Sequence, residues 1–401
     1  MSVMAGSGDS GLNEAQRQAV AHTDGPLVVF AGAGSGKTRV ITHRIAQLVE
    51  RAGVRPWRIL AVTFTNKAAG EMRERLLGLC PEAEGLWVGT FHSICARLLR
   101  RHAEELGLNP NFVIYDDTDQ KAMVTRIIRD LDLDEKRYAP REIASRINRA
   151  KRELQGPGEV DLGDYFAETF QRIYALYEER MASSGALDFG DLLYRMALAL
   201  RDHAGVRAQL QGQWDHVLVD EFQDTNRVQL EIVRELVAEH RNLCVVGDDD
   251  QSIYRWRGAE RRYILEFRQE FTEATVVKLE QNYRSHGNIL GAATSVIGRN
   301  HDREPKTLWT DNPAGEPVRI VRCSDERDEA RAVSEVLRRM RADGMRLSDM
   351  AIFYRTHAQS RVFEEEMRAC NLPYRVIGGQ RFYERAEVKD CLAYLRVLMN
   401  P

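Results

Sequence analysis

The sequence predicts an α/β fold in which strands of a parallel sheet are separated by crossover helices, and three observations predict it. Short apolar runs alternate with amphipathic helical stretches between residues 26 and 116, the rhythm of buried parallel strands. A glycine-rich segment, AGAGSGKT at 31–38, joins one such run to a helical pattern, where a parallel sheet can bind phosphate. The rhythm is interrupted between 118 and 213 and then returns.

The leading MSVMAGSGDSG has no basic segment followed by an apolar stretch, so it reads as an irregular lead-in ending near Gly11 and not as a signal peptide. LVVF at 27–30 precedes a helical stretch from Lys37 to about Arg51, and ILAVTF at 59–64 precedes one at 67–79. LWVGTF at 86–91 leads into 93–106, and FVIYD follows at 112–116. Patterns rich in Arg, Glu, Leu and Ala fill 118–213, broken at GPG (156–158), with almost no strand candidates. A helical subdomain inserted into one α/β domain accounts for this most simply. Strands resume with HVLVDE (216–221), NLCVVGD (242–248) and ATVVKLE (274–280). VRIVRC (318–323), MAIFYRT (350–356) and YRVIGG (374–379) then predict the start of a second α/β lobe with no phosphate loop of its own.

The length of 401 residues suggests two or three domains, and 43% hydrophobic with 29% charged residues describes a soluble globular chain. Lys and Arg total 57 against 60 Asp and Glu. That excludes nucleic-acid binding by bulk positive charge but not a local basic groove. The six cysteines form no C-x-x-C pair, which argues against a zinc site and for a reduced, cytoplasmic protein. No apolar run reaches the length of about 18 residues that a membrane span needs. The stretch 137–152 carries Arg137, Arg141, Arg146, Arg149, Lys151 and Arg152 against Glu142. It reads equally as a track for duplex phosphates or as a solvated helix face.

AGAGSGKT fits a phosphate loop, with Ala31 in place of the first glycine. Gly32, Ala33, Gly34, Ser35 and Gly36 would let backbone amides wrap the phosphates. Lys37 would bridge the β- and γ-phosphates of ATP, and Thr38 would hold Mg²⁺. HVLVDEFQD supplies a buried strand ending in two acids: Asp220 for Mg²⁺ and Glu221 to polarise the attacking water. An NTPase follows.

Two further stretches carry more than a generic NTPase needs. In VVGDDDQSIYRWRGA (245–259), Gln251 lies just past a strand end, where a γ-phosphate sensor belongs. Tyr254, Trp256 and Arg257 beyond it could stack bases and neutralise phosphates of a single strand, or bury their rings at a helix start. In LEQNYRS (279–285), Arg284 is either an arginine finger, with Tyr283 against adenine, or an ordinary surface arginine.

Together these segments resemble the UvrD/PcrA/Rep family of superfamily 1A DNA helicases, from LNEAQRQAV to the last residue. The resemblance implies that Gln16 contacts adenine and that the leading Ala31 is normal for the family. It implicates Phe64, Thr65 and Asn66 of AVTFTNKAAGEM, and Thr90 and His92 of GTFHS, in contacts to single-stranded DNA. It gives Asp220, Glu221, Gln251, Tyr254, Trp256, Arg257, Tyr283 and Arg284 the roles above. The implied fold has two RecA-like lobes: the first at 1–115 and 190–280, a helical insertion at 116–189, the second lobe from 281 to 377 and its insertion from 378. The implied function is 3′ to 5′ translocation on single-stranded DNA driven by ATP and Mg²⁺, with unwinding at single-strand/duplex junctions in repair or replication. AIFYRTHAQSR (351–361) resembles the first signature of the second lobe, but no later family signature follows. The chain therefore reads as the N-terminal portion of such a motor, expected to unwind poorly by itself. An ATP-gated single-strand binder is the alternative. It would be expected to lack one of Lys37, Asp220, Glu221, Gln251 and Arg284, and all five are here.

Overall fold

The computed structural model describes residues 11–160 and 165–377, which divide into two compact units between Glu316 and Pro317. Its strands are β1 (Leu27–Ala31), β2 (Ile59–Thr63), β3 (Trp87–Thr90), β4 (Val113–Tyr115), β5 (Ala186–Asp188), β6 (His216–Val219), β7 (Leu243–Gly247) and β8 (Thr275–Leu279). Six of them make one sheet in the order β3-β2-β6-β7-β1-β8, with every pairing parallel. The α/β class with a parallel sheet, expected of a RecA-like lobe, is thus realised in the first unit.

The first unit's labelled helices are α1 (Glu14–Ala21), α2 (Lys37–Glu50), α3 (Asn66–Leu79), α4 (Phe91–Arg101), α5 (Asp117–Asp130), α6 (Pro140–Arg152), α7 (Tyr165–Ser183), α8 (Phe189–Asp202), α9 (Ala204–Gln211) and α10 (Arg227–Val237). Because side chains alternate along a strand, the sheet feeds two cores. Leu27, Val29 and Ala31 pack with Ile59 and Ala61 against α1, α2 and α3. Val28, Phe30, Leu60 and Val62 face α4, α8 and α10. Burial on both faces explains why the strands read as continuous apolar runs.

The interval between β4 and β5 forms its own core from α5, α6 and α7, including Ile127, Ile147, Ile173 and Tyr177. Its entry and exit strands pair with each other, Val113 opposite Ala186 and Tyr115 opposite Asp188. FVIYD therefore belongs to this two-stranded sheet and not to the main one, and β5 went unpredicted. A three-residue strand between two helices shows no period of its own; the partner strand makes it one.

Lys151 corrects the reading of 137–152 as a uniformly solvated or DNA-facing basic run. Its side chain is wholly buried, with Nζ 2.7 Å from Asp191, 2.8 Å from Glu178 and 2.9 Å from Asp188. Burial alone would lower the Lys151 pKa, but Asp191, Asp188 and Glu178 outweigh it and hold the ammonium charged.

Residues 281–316 belong to the first compact unit. The Asn282 amide donates to the Trp309 carbonyl at 2.7 Å, and the Trp309 amide to Glu280 at 3.0 Å. By its contacts, the compact first unit therefore extends to Glu316.

In the second unit, helices Glu326–Ala342 and Ser360–Ala369 pack together around Ala330 and Met367. The strands expected at 318–323, 350–356 and 374–377 are not formed. A strand exists only through its ladder partner, and these stretches have none among the described residues. Ile320 and Phe353 within them are exposed at 91% and 94%. The expected insertion at 378–401, with the end of YRVIGG, lies outside the described residues.

Candidate nucleotide site and nucleic-acid interface

The phosphate loop, the paired acids and the segments at 64–66, 90–92, 248–257 and 281–285 each lie at or just past the carboxyl end of a sheet strand, where ligands bind in open α/β folds; Gln16 comes from α1, ahead of β1. After β1, Gly34 and Gly36 take left-handed φ values of +67° and +90°, which a side chain would oppose. There is no room for one either: a Cβ on Gly34 would sit 2.8 Å from the Arg284 Cβ, and one on Gly36 2.9 Å from the Gln16 Nε2. Ser35 Oγ donates to the Gly32 carbonyl at 2.7 Å and closes the loop. Lys37 and Thr38 then open α2 with the helix amides facing the loop. Gln16 is fully buried: its Nε2 donates to the Ser35 carbonyl at 2.9 Å, and its Oε1 accepts from the Asn13 amide at 3.0 Å. The residue expected to read adenine thus also fastens α1 to the phosphate loop.

After β6, the Asp220 amide donates to Val62 of the neighbouring strand at 2.8 Å. Glu221 adopts a left-handed φ of +52°, an uncommon conformation for a residue with a Cβ and one found most often at functional sites. Its carboxylate lies 3.8 Å from the Lys37 ammonium. Burial, reinforced by Glu221 and offset by Lys37, pushes the Asp220 carboxyl up to about 7. Burial and Glu221 push Asp224 up to about 6, and its Oδ1 is buried without a hydrogen-bond partner. Three acids with one lysine between them leave a deficit of positive charge. A hard divalent cation with oxygen ligands fits that deficit, with Asp220 and the partly buried Thr38 the residues to hold it.

A hydrogen-bond chain leaves this point for β7. Gln223 Nε2 donates to Glu221 at 2.9 Å, and its Oε1 accepts the Asp248 amide at 2.9 Å. The Asp248 carboxylate in turn accepts from Gln251 Nε2 at 2.5 Å. After β8, buried Asn282 joins two parts of the site. Its Nδ2 donates to the Ala33 carbonyl at 2.6 Å, and its Oδ1 accepts the amides of Arg284 and Ser285 at 2.9 and 2.7 Å. Tyr283 donates its amide to Gly34 at 3.0 Å, and its ring is 44% exposed. Arg284 is exposed, and its guanidinium makes no ion pair among the described residues.

Beside the nucleotide residues stands an aromatic cluster. Phe64 and Tyr254 have ring centroids 4.7 Å apart, and Tyr254 and Trp256 6.3 Å. The Arg257 guanidinium lies 4.7 Å from the Trp256 ring, 5.1 Å from Tyr254 and 6.0 Å from Phe64. Trp256 is 70% exposed, so the alternative that buried it in the core is excluded. Thr65 and Thr90 spend their side chains on capping α3 and α4, and Thr90 Oγ1 also reaches Asn66 at 3.5 Å. His92 meets the edge of Phe189 at 6.0 Å, with its pKa lowered by burial and then by Arg257.

Sequence reasoning missed Gln223, Asn282 and Phe189. The first two lie inside segments that were read, flanking more conspicuous charges. Phe189 is half exposed on the first turn of α8, an aromatic out of register with the buried helix face, which was the available signal.

The family model of the UvrD/REP helicase N-terminal domain matches residues 12–272, and that of the UvrD-like helicase C-terminal domain matches 277–401. Among curated proteins, the ATP-dependent DNA helicase PcrA of Bacillus subtilis is 46% identical over 396 residues, 98% of this chain and 54% of the relative. The proteins of the same description from Staphylococcus aureus (Mu50) and Staphylococcus epidermidis are each 45% identical over 392 residues, 97% of this chain and 54% of theirs. The chain spans about half the length of the curated relatives it matches. With the phosphate loop, the paired acids and the aromatic face on one edge of one parallel sheet, this chain belongs to the UvrD/REP helicase family.

Proposed function

We propose that the chain is the ATP-hydrolysing portion of a 3′ to 5′ DNA helicase, acting on single-stranded DNA and single-strand/duplex junctions in the cytoplasm. The observation that carries this reading is the chain Glu221–Gln223–Asp248–Gln251, which ends three residues before the aromatic cluster. It gives the nucleotide residues a direct mechanical route to the bases.

In this reading the loop 31–38 cradles the phosphates, Gln16 and Tyr283 hold the adenine, and Lys37 neutralises the γ-phosphate. Glu221 takes the proton from the attacking water, while Gln251 and Arg284 contact the γ-phosphate as it leaves. Asp220 and Thr38 would hold Mg²⁺, which would supply charge neutralisation at the phosphates. Phe64, Tyr254 and Trp256 stack bases, Arg257 neutralises the backbone, and Thr65, Asn66, Thr90 and His92 line the strand. The first lobe is taken as 1–115 and 190–280 with its insertion at 116–189, and the second lobe as starting near 281 with its insertion from 378, although residues 281–316 pack with the first compact unit and β4 pairs with β5 of the insertion.

The test pairs ATP hydrolysis, with and without oligothymidylate, with strand displacement on a 3′-tailed duplex. Hydrolysis stimulated by the single strand with little displacement is expected of this chain. ATP turnover indifferent to DNA would overturn the motor reading.

A further inference from the structure

Outside every segment read from the sequence stands Lys306. Its side chain is wholly buried, and its ammonium is ringed by three consecutive carboxylates. It lies 3.0 Å from Asp248 and 3.0 Å from Asp250 and makes a short contact with Asp249. Carboxylate oxygens of the three acids converge within 4.8 Å of one another, and the cation they surround is this lysine. Arg303 adds a two-pronged pair to Asp250 at 2.8 and 2.6 Å, and the Glu304 amide donates to Asp249 at 2.9 Å. One short segment, 303–306, thus holds the whole Asp248–Asp250 turn.

The position of that turn is what gives the contact meaning. Asp248 Oδ1 faces Lys306 while its Oδ2 accepts from Gln251. Its backbone amide is bound by Gln223, which also binds Glu221. On the other side, two residues, Ser252 and Ile253, separate Gln251 from Tyr254, the start of the aromatic cluster. Without the lysine, buried Asp248 and Asp249 and the partly buried Asp250 would have Arg303 as their one ion-pair partner among the described residues, and repulsion would open the turn. Burial favours the neutral amine, yet Asp248, Asp249 and Asp250 outweigh it and raise the Lys306 pKa.

We propose that Lys306 is a positioning residue that locks the Asp248–Gln251 turn and thereby holds the γ-phosphate sensor and the base-stacking cluster in register. The inference rests on the helicase reading for what the turn does, and on geometry alone for what Lys306 holds.

The test uses the 401-residue chain with Lys306→Met, Lys306→Arg and the double variant Lys306→Met with Asp249→Asn. Three quantities are read: MgATP affinity, affinity for an oligothymidylate, and amide exchange over 32–38 and 248–257. Lys306→Met should speed exchange at 248–257 alone and weaken oligothymidylate binding by about fivefold or more, with MgATP affinity within about twofold. Lys306→Arg keeps the charge and the double variant restores the balance, so each should recover most of the loss. Unchanged exchange at 248–257 in folded Lys306→Met overturns the inference. So does faster exchange throughout the sheet with MgATP binding lost and no recovery in the double variant, which is a purely structural role. If the unsubstituted chain fails to bind oligothymidylate, the helicase reading falls, and the exchange data still decide for or against Lys306.

Discussion

Replacing Trp256 by alanine tests the nucleic-acid face where its geometry is most exposed. A tryptophan side chain carries about 250 Å² of surface, so 70% exposure leaves about 170 Å² of Trp256 in water. A base laid on one face covers about half of that, and at about 25 cal/mol per Å² this is worth about 2 kcal/mol. That falls within the range of about 1–3 kcal/mol known for base stacking and corresponds to about 30-fold in Kd. Folding should suffer little, because the main intramolecular loss is the Arg257 contact at 4.7 Å, worth about 0.5–1 kcal/mol at an exposed site. The assay is fluorescence anisotropy of a labelled oligothymidylate at two salt concentrations, beside a thermal melt. Arg257→Ala in the same series should lower the salt slope by about 1, as expected for one phosphate contact. An unchanged affinity in folded Trp256→Ala at both salt concentrations would refute the stacking argument.

Other outcomes follow from the nucleotide side and from the core. Lys37→Ala should abolish ATP turnover with the melt intact, whereas Glu221→Gln should retain MgATP binding and lose hydrolysis; equal loss of binding in both would dissolve the division of roles. Asn282→Ala strands the Ala33 carbonyl and two amides, at about 1–3 kcal/mol for each buried group left unpaired; calorimetric titration should show MgATP binding at least about tenfold weaker, and wild-type affinity would exclude the clamp. His216, 6% exposed at the start of β6, has its pKa lowered to about 4 by burial and then by Arg44. The unfolded chain protonates this group below about 6.5 while the folded one does not, so its contribution is intact above pH 6.5 and lost as pH falls towards 4, about 3 kcal/mol in all. Urea midpoints at pH 7 and pH 4.5 should converge in His216→Leu relative to the unsubstituted chain, and an identical pH slope in both would rule this out.

Much of the first unit was legible because its information is local and periodic. Apolar runs such as Leu27–Ala31 and Leu243–Gly247 are buried on both faces, so each announced itself without knowledge of its neighbours. AGAGSGKT and the acids after β6 were legible for a related reason: backbone freedom at Gly34 and Gly36 and charge at a strand end are written in adjacent residues. The structure also settled one alternative that the sequence had left open, since the ring of Trp256 could have been core or surface until its exposure was known.

What only the tertiary structure decided depends on partners distant in the chain. The strand order β3-β2-β6-β7-β1-β8 and the pairing of β4 with β5 are choices among ladder neighbours, which no single segment encodes. Lys151 and Lys306 look in the sequence like solvated charges. They are buried because acids at 178, 188 and 191, and at 248–250, converge on them. The apolar stretches at 318–323 and 350–356 carry strand-like residues but have no ladder partner among the described residues. Composition therefore determined which residues could be buried, strand or charged. The meeting of segments far apart in the chain determined which of them were, because hydrogen-bond ladders and ion clusters belong to pairs of segments and not to one.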